Sequence, residues 1–388
     1  MRKFNLQKII QNVAVGITAI LFLSNGLIAQ QIVYKSFRPG ELWLDNNGKH
    51  INAHGGGILY ENGTYYWFGE HKITGRIGNS AQVGVHCYSS KDLYNWKDEG
   101  IALSVDTLDE SSEITKGCVL ERPKVVFNKN TGKYVMWFHL ELKGQGYSAA
   151  RCGVAISGNV TGPFKYLRSY RPNAHKWPVN ASAKDTIPVA GGDSTLLKID
   201  GKERAIAGYF LRRDYPVGQM ARDMTIYQDD NDKAYLIYAS EENYTMNISE
   251  LSDDYTSFTG KWLRLLPGGH NEAPAMFKVD GKYYLITSGC TGWAPNAARS
   301  AVAMSIWGPW KEIGNPCVGE DSDLTFHSQS TYALKVQGKK DEFIFMADRW
   351  MPQNPIDGRY IWLPVEFNNG KIVLKWRDEW NLNFFDKD

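Results

Sequence analysis

The sequence predicts an all-β fold, a five-bladed β-propeller built as a single domain, and three observations lead there. One short pattern returns five times: a polar or acidic residue, an apolar strand-like run, a tight turn, and an aromatic-rich second run. Hairpin dipeptides, Asn62-Gly63, Thr131-Gly132, Asp280-Gly281 and Gln337-Gly338, stand between these runs. Outside the first 30 residues, no stretch sustains a helical period. Repeats on this scale mark a radial array, in which each unit is a small sheet that cannot bury its faces without neighbours.

The chain opens Met-Arg-Lys, adds Lys8, and runs apolar from Val13 to Phe22 before small residues ending at Ala29. A basic start, an apolar core too short to span a bilayer and an Ala-type cut are the parts of a secretory signal peptide. A membrane anchor is the alternative, but no stop-transfer flank follows. Residues 1–30 are expected to be removed and residues 31–388 exported, to the periplasm or the medium, without membrane attachment.

The five copies begin at His54 (HGGGILYENGTYYWFGE), Glu121 (ERPKVVFNKNTGKYVMWFHL), Asp223 (DMTIYQDDNDKAYLIYAS), Glu272 (EAPAMFKVDGKYYLITSG) and Gln329 (QSTYALKVQGKKDEFIFMAD). The step from leading residue to turn residue is nine in four copies (to Gly63, Asp232, Gly281 and Gly338) and eleven in the second, to Gly132. Segments of another kind, CYSSKDLYNW, ISGNVTGPF, LSDDYTSF and MSIWGPW, place an aromatic after a polar turn and suit the outer strands of four-stranded blades. Leading residues are 67, 102, 49 and 57 positions apart. The long second gap holds a segment, about 175–216, with its own hairpin-like run STLLKIDGKERAIAGYF. It reads either as a sixth blade or as a hairpin-containing insertion between the second and third blades. The insertion is favoured, because one hairpin does not make a four-stranded sheet.

A net charge of +2 argues against nucleic acid or an acidic membrane surface as partner. The 13 Trp and 21 Tyr suit both blade packing and stacking on sugar rings. Five scattered cysteines, Cys87, Cys118, Cys152, Cys290 and Cys317, lack CxxC spacing and supply no metal-ligand set. They read as one or two disulfides or as small buried thiols.

The first strand of each propeller blade lines the central channel, so the five leading residues are expected to converge on one pocket, and three of them are carboxylic acids. Paired carboxyl groups across a channel are what glycoside hydrolysis uses: one protonates the leaving oxygen, and inversion needs a base about 6.5–9.5 Å away to activate water. Glu272, followed by Ala-Pro-Ala-Met-Phe, has the apolar setting that keeps a general acid protonated. Asp223 is the natural anionic neighbour. Glu121, with Arg122 beside it, is expected to stay ionised and grip sugar hydroxyls. The plain alternative for each acid is a solvated strand end or a turn cap.

Together NAHGGGILYENGTYYWFGE, LERPKVVFN, SKDLYNW, ARDMTIYQDD, HNEAPAMFK, TSGCTGW and HSQSTY resemble glycoside hydrolase family 43, in its branch of exo-β-1,3-galactanases and related β-galactosidases. The likeness spans almost the whole mature chain. It implies Glu272 as general acid, Asp223 as the residue tuning it, and Glu121 with Arg122 as holders of a terminal galactose. The aspartate base found on the first blade in most of the broader family is replaced by Asn52-Ala53-His54. The branch implies instead that Gln329 activates water through its imidic-acid form. His54 is a second candidate, with a hydrogen bond across the channel as its plain reading. Glu70, Tyr147, Asn243, Thr291 and Trp293 match sugar-contacting positions of the branch.

The implied product is galactose, released with inversion from the non-reducing end of β-1,3-galactan or arabinogalactan by a monomer without cofactor. A channel calcium stays open, with His54 near where it would sit. Two alternatives remain at this point: an α-L-arabinofuranosidase or β-xylosidase of the same fold, and a non-catalytic carbohydrate-binding propeller.

Overall fold

A computed structural model describes residues 33–386; the expected signal peptide lies outside them. The first repeat folds into an antiparallel meander of β1 (His54–Glu61), β2 (Thr64–His71), β3 (Gly84–Ser90) and β4 (Lys97–Ser104). The second comprises β5 (Val119–Asn128), β6 (Lys133–Glu141), β7 (Arg151–Ser157) and β8 (Lys165–Tyr170). Three short helices follow: α1 (Ala183–Thr186), α2 (Gly201–Ile206) and α3 (Tyr209–Asp214). The third meander is β9 (Met224–Gln228), β10 (Ala234–Ser240), β11 (Thr245–Leu251) and β12 (Phe258–Leu265). The fourth is β13 (Asn271–Val279), β14 (Lys282–Gly289), β15 (Arg299–Ala303) and β16 (Lys311–Gly314). After β17 (Cys317–Val318) come β18 (Gln329–Lys335), β19 (Phe343–Arg349) and β20 (Arg359–Pro364), then β21 (Glu366–Asn368) and β22 (Lys371–Lys375).

The expected count of five blades is corrected: the propeller has six. The additional sheet has three strands, with β17 parallel to β22 through Cys317 and Leu374, and β22 folded back antiparallel onto β21. Asn369 and Gly370, both with positive φ, make its turn. That hairpin dipeptide was present in the sequence, but no leading polar residue and no aromatic second run accompanied it, so the repeat did not mark it. Its buried Cys317, Ile372 and Leu374 share a core with Phe345, Ile361 and Leu363 of the β18–β19–β20 sheet.

The expected hairpin in the inserted segment is also corrected. Residues 193–198 form a 3₁₀ turn, and the chain continues into α2 and α3. Asp200-Gly201, in the middle of the run STLLKIDGKERAIAGYF, is a helix start: the Asp200 side chain accepts from the Glu203 backbone N–H at 2.9 Å. Lys202, Glu203, Arg204 and Ala205 are good helix formers and carry the turn on. Phe210 and Leu211 bury the inner face. Arg264 of β12 clamps the segment from beneath, meeting Asp185 at 3.0 Å and both oxygens of Glu241 at 2.6 and 2.7 Å.

Ring closure rests on tryptophan. Trp67, Trp96 and Trp362 are nearly inaccessible, and the Trp67 and Trp362 rings lie 4.9 Å apart. Phe37 and Trp380 exchange both backbone hydrogen bonds, at 2.7 and 3.1 Å, and add their rings to this core. Truncating Trp362 to alanine would cost about 3–5 kcal/mol. All five cysteines are free thiols. Among the described residues no helix is long and apolar enough to cross a membrane.

Five of the six sheets supply the inner ring: β1, β5, β9, β13 and β18 touch in cyclic order, with β18 closing back onto β1, while the β17–β22–β21 sheet lies beside β20. Four of the five leading residues, Glu121, Asp223, Glu272 and Gln329, meet at one end of a shared channel.

Candidate active site

Local backbone strain aims the side chains. The residue after the leading one is left-handed in three repeats: Gly55 at φ 60°, Arg122 at φ 54° and Ala273 at φ 55°. Register slips follow at once, between His54 and Gly57, Glu121 and Lys124, and Glu272 and Ala275, with a fourth between Ser330 and Tyr332. Such bulges re-aim side chains out of the pleat. A left-handed non-glycine residue costs about 1–3 kcal/mol and persists where its surroundings over-determine it. Lys124, buried below, does so here, donating to the carbonyls of Gly55 at 2.8 Å and Arg122 at 3.4 Å.

Glu121, Arg122, Asp223, Glu272 and Gln329 line one cavity of about 270 Å³ together with Glu70, Tyr147, Asn243 and Trp293. That volume lies at the small end of ligand pockets and suits one ring rather than a chain. His54 and Thr291 do not line it. His54 is fully buried, stacked on Tyr360 with Nδ1 3.6 Å from Asp348, and neither ring nitrogen is hydrogen-bonded. Thr291 Oγ1 is used within its loop, donating to the Ala294 carbonyl at 2.6 Å.

Arg122 is the hub. It meets Asp223 at 3.0 Å, Gln329 Oε1 at 2.6 Å and the Ser330 carbonyl at 2.8 Å, and its backbone N–H donates to Glu70 at 3.0 Å. Its guanidinium also lies over the Trp350 ring. Trp350 Nε1 gives Gln329 Oε1 a second hydrogen bond, at 2.9 Å. Gln329 Nε2 then donates to Glu272 Oε1 at 2.8 Å and Ser288 Oγ at 2.9 Å, while Asn243 donates to Glu272 Oε2 at 3.2 Å.

Opposite electrostatics separate the two glutamates. Burial pushes the Glu272 carboxyl up, the Asp223 charge adds to it, and Arg122 offsets only part, leaving it at about 7. Burial would raise Glu121 as well, but the His139 hydrogen bond and charge, with Lys72 beyond, outweigh it and hold that carboxyl at about 2. Burial opposes charge on His139, yet Glu121 at 2.7 Å and Glu141 at 2.9 Å bring it up to about 9. Below about pH 7 one site thus holds an un-ionised acid and, across the cavity, a fixed carboxylate.

Glu121, His139 and Asp223 are close enough to share a metal ion. Both His139 nitrogens, however, point at carboxylates, so the ring is an imidazolium here and a cation would first have to displace its proton.

The model of glycosyl hydrolases family 43 matches residues 205–352. Over 89% of this chain and the whole of the other, the protein is 52% identical to a family-43 β-1,3-galactosidase solved with galactodeoxynojirimycin, at a TM-score of 0.85. The chain belongs to glycoside hydrolase family 43. An exo-β-1,3-galactanase from Phanerochaete chrysosporium, solved with β-1,3-galactotriose, is 32% identical over 90% of this chain and 68% of its own, at a TM-score of 0.72. A curated β-D-galactofuranosidase from Aspergillus niger is 31% identical over 146 residues, which are 36% of this chain and 42% of that protein.

Several lining groups of this family-43 hydrolase escaped sequence reasoning: Asn79, His139, Arg222 and Trp350. A signal for His139 was available. The residue opposite each leading one across its hairpin faces the same channel end, pairing His54 with Glu70, Glu121 with His139, Glu272 with Ser288 and Gln329 with Asp348. Asn79 had none. It arrives on the loop after β2, donating to Glu121 Oε1 and, at 2.9 Å, to Tyr147.

Proposed function

We propose that this enzyme removes galactose from the non-reducing end of β-1,3-linked galactan chains with inversion, Glu272 acting as general acid. The observation that carries the reading is the raised Glu272 carboxyl, at about 7 beside Asp223 in a one-ring cavity. A carboxylic acid kept protonated at working pH can protonate the leaving glycosidic oxygen. Glu121, fixed as an anion by His139 and reinforced by Tyr147 at 2.8 Å, grips hydroxyls of the terminal sugar. Glu70 and Asn243 complete that grip. Galactose is the sugar named for the two solved relatives above. The basic start and the apolar run from Val13 to Phe22 support export to where such polysaccharides are met.

In this reaction a water attacks the anomeric carbon from the face opposite the leaving oxygen, and its proton passes to a base. Gln329 is the candidate. A second reading is favoured by its bonding: Arg122 and Trp350 occupy Oε1, so Gln329 orients Glu272 and the attacking water gives its proton to solvent.

Proton NMR of a β-1,3-galacto-oligosaccharide digest tests the proposal. The first-formed product should be α-galactose, one residue at a time. β-Galactose first, or internal cleavage into longer fragments, overturns it.

A further inference from the structure

We infer that a furrow leading from the catalytic cavity to Trp376 binds the leaving-group side of a neutral polysaccharide chain, with Trp376 as its distal sugar platform. The inference rests on the exo-galactanase reading above. Trp293, Gln329 and Trp350 line the catalytic cavity and also a second hollow beside it, whose far wall is His327 and Arg349. His327 and Arg349 in turn line a third, which ends at Trp376. The three hollows thus share walls in series, from the buried carboxyl groups to the open surface.

The side chains along this path suit a sugar chain. Trp293 and Trp376 remain 37% and 36% exposed, whereas six of the 13 tryptophans are buried. A flat ring with one face open stacks on the C–H face of a pyranose, while nearby polar groups take its hydroxyls. Arg349 stands over Trp376 at 5.7 Å and Phe326 packs beside it at 5.8 Å, which fixes the indole without covering it. Arg349 Nε is buried with no hydrogen-bond partner, and His327 and Asp321 face each other at 3.0 Å on the rim. The outer hollow sets two acids, Glu320 and Asp321, against two bases, Arg349 and Lys375, a balance that matches a neutral ligand and not a polyanion.

The turn that builds the middle of the furrow is strained. Thr325, Phe326 and His327 are left-handed in succession, at φ 50°, 54° and 61°. Thr325 is pinned by its hydroxyl to the Asn296 carbonyl at 2.7 Å, and Ser328 by its own to the Thr325 carbonyl at 2.6 Å. The same turn delivers the chain to Gln329. Strain held this firmly places His327 between the inner and outer hollows while setting the first residue of β18 in the cavity.

The test is chain-length dependence. Wild-type protein and Trp376→Ala are compared on β-1,3-galacto-oligosaccharides of two to six sugars, with thermal melting of both as a check on folding. The wild type should gain kcat/KM with length. In Trp376→Ala the ratio of kcat/KM for the hexasaccharide to that for the disaccharide should fall about tenfold, through KM, and Trp376→Phe should restore most of it. A variant whose length profile runs parallel to the wild type overturns the furrow while leaving the galactanase reading intact. A folded wild type inert on every member of the series sinks that reading, and the furrow with it.

Discussion

Gln329 Nε2 donates to Glu272 Oε1 across 2.8 Å, so the amide and the acid are in contact. An inverting hydrolase needs its acid and its water-activating group about 6.5–9.5 Å apart, on opposite faces of the sugar. If Gln329 is that group, a substrate cleaved with inversion must part this pair. Until then the hydrogen bond holds the carboxyl facing the cavity, between Gln329 and Asn243.

Glu272→Gln removes the transferable proton and keeps the shape. On oligosaccharides kcat should fall about 10²–10⁴-fold, and on an aryl galactoside with an acidic leaving group by much less, since that oxygen needs no proton. The same change should stabilise the fold in alkali. With its carboxyl raised from 4.5 to about 7, folded wild type holds a proton that the unfolded chain has released, so stability declines as pH rises through that window. The melting temperature of Glu272→Gln should exceed that of wild type by more at pH 8 than at pH 5. Unchanged kcat would remove Glu272 from the reaction.

The alkaline limb of kcat/KM belongs to the same carboxyl and should fall as pH rises through about 7. Asp223→Asn deletes the like charge that raises it and frees Arg122, which lowers it. Both effects have one sign, so the limb should move to lower pH, alongside any loss in rate. A pH–rate profile of the variant settles the matter; a limb that stays put or moves upward contradicts the arrangement.

His139 lies between Glu121 and Glu141, all three buried. Its contribution to stability, from a folded value of about 9 against 6.5 unfolded, is full below 6.5 and lost as pH rises through about 9. That of Glu121, at about 2 against 4.5, is present above 4.5 and lost as pH falls through about 2. Both are complete near pH 5–6. There His139→Leu strands two buried carboxylates and should cost about 3–5 kcal/mol in urea unfolding. A loss within the scatter of an exposed ion pair would show that water reaches this cluster.

What could be read in advance follows from periodicity. Leading polar residues, alternation and hairpin dipeptides are local in sequence, so the inner strands and the acids at their ends were legible. The β17–β22–β21 sheet was not, because a two-residue strand at Cys317 pairs with one more than fifty positions later and leaves no local trace. The run around Asp200-Gly201 misled for a related reason. The same dipeptide serves as a hairpin turn or as a helix cap and first position, and only the docking of Phe210 and Leu211 decides. His54 shares the leading register, yet it turns away behind Gly55 onto Tyr360. The αL residue that follows the leading one in three repeats is a tertiary outcome, and nothing in HGGG distinguishes it.

Gln329 offers the sharpest test of mechanism. Arg122 and Trp350 are donors only, so the atom facing them is the amide oxygen and the nitrogen faces Glu272. As imidic acid, Gln329 would carry a hydroxyl against those two donors, which is unfavourable unless one withdraws. Gln329→Ala should lower kcat about 10²–10⁴-fold under either role, because a lost base and a misoriented acid cost alike. Azide separates them. If Gln329 activates water, added azide needs no base, enters the vacated face and restores turnover as α-galactosyl azide. If Gln329 only orients Glu272, the acid stays misplaced and azide restores nothing; in either case the alkaline limb should move to higher pH, because the carboxyl has lost its amide hydrogen bond. Rescue by azide makes Gln329 the base; a variant that azide does not rescue makes it the positioner of Glu272.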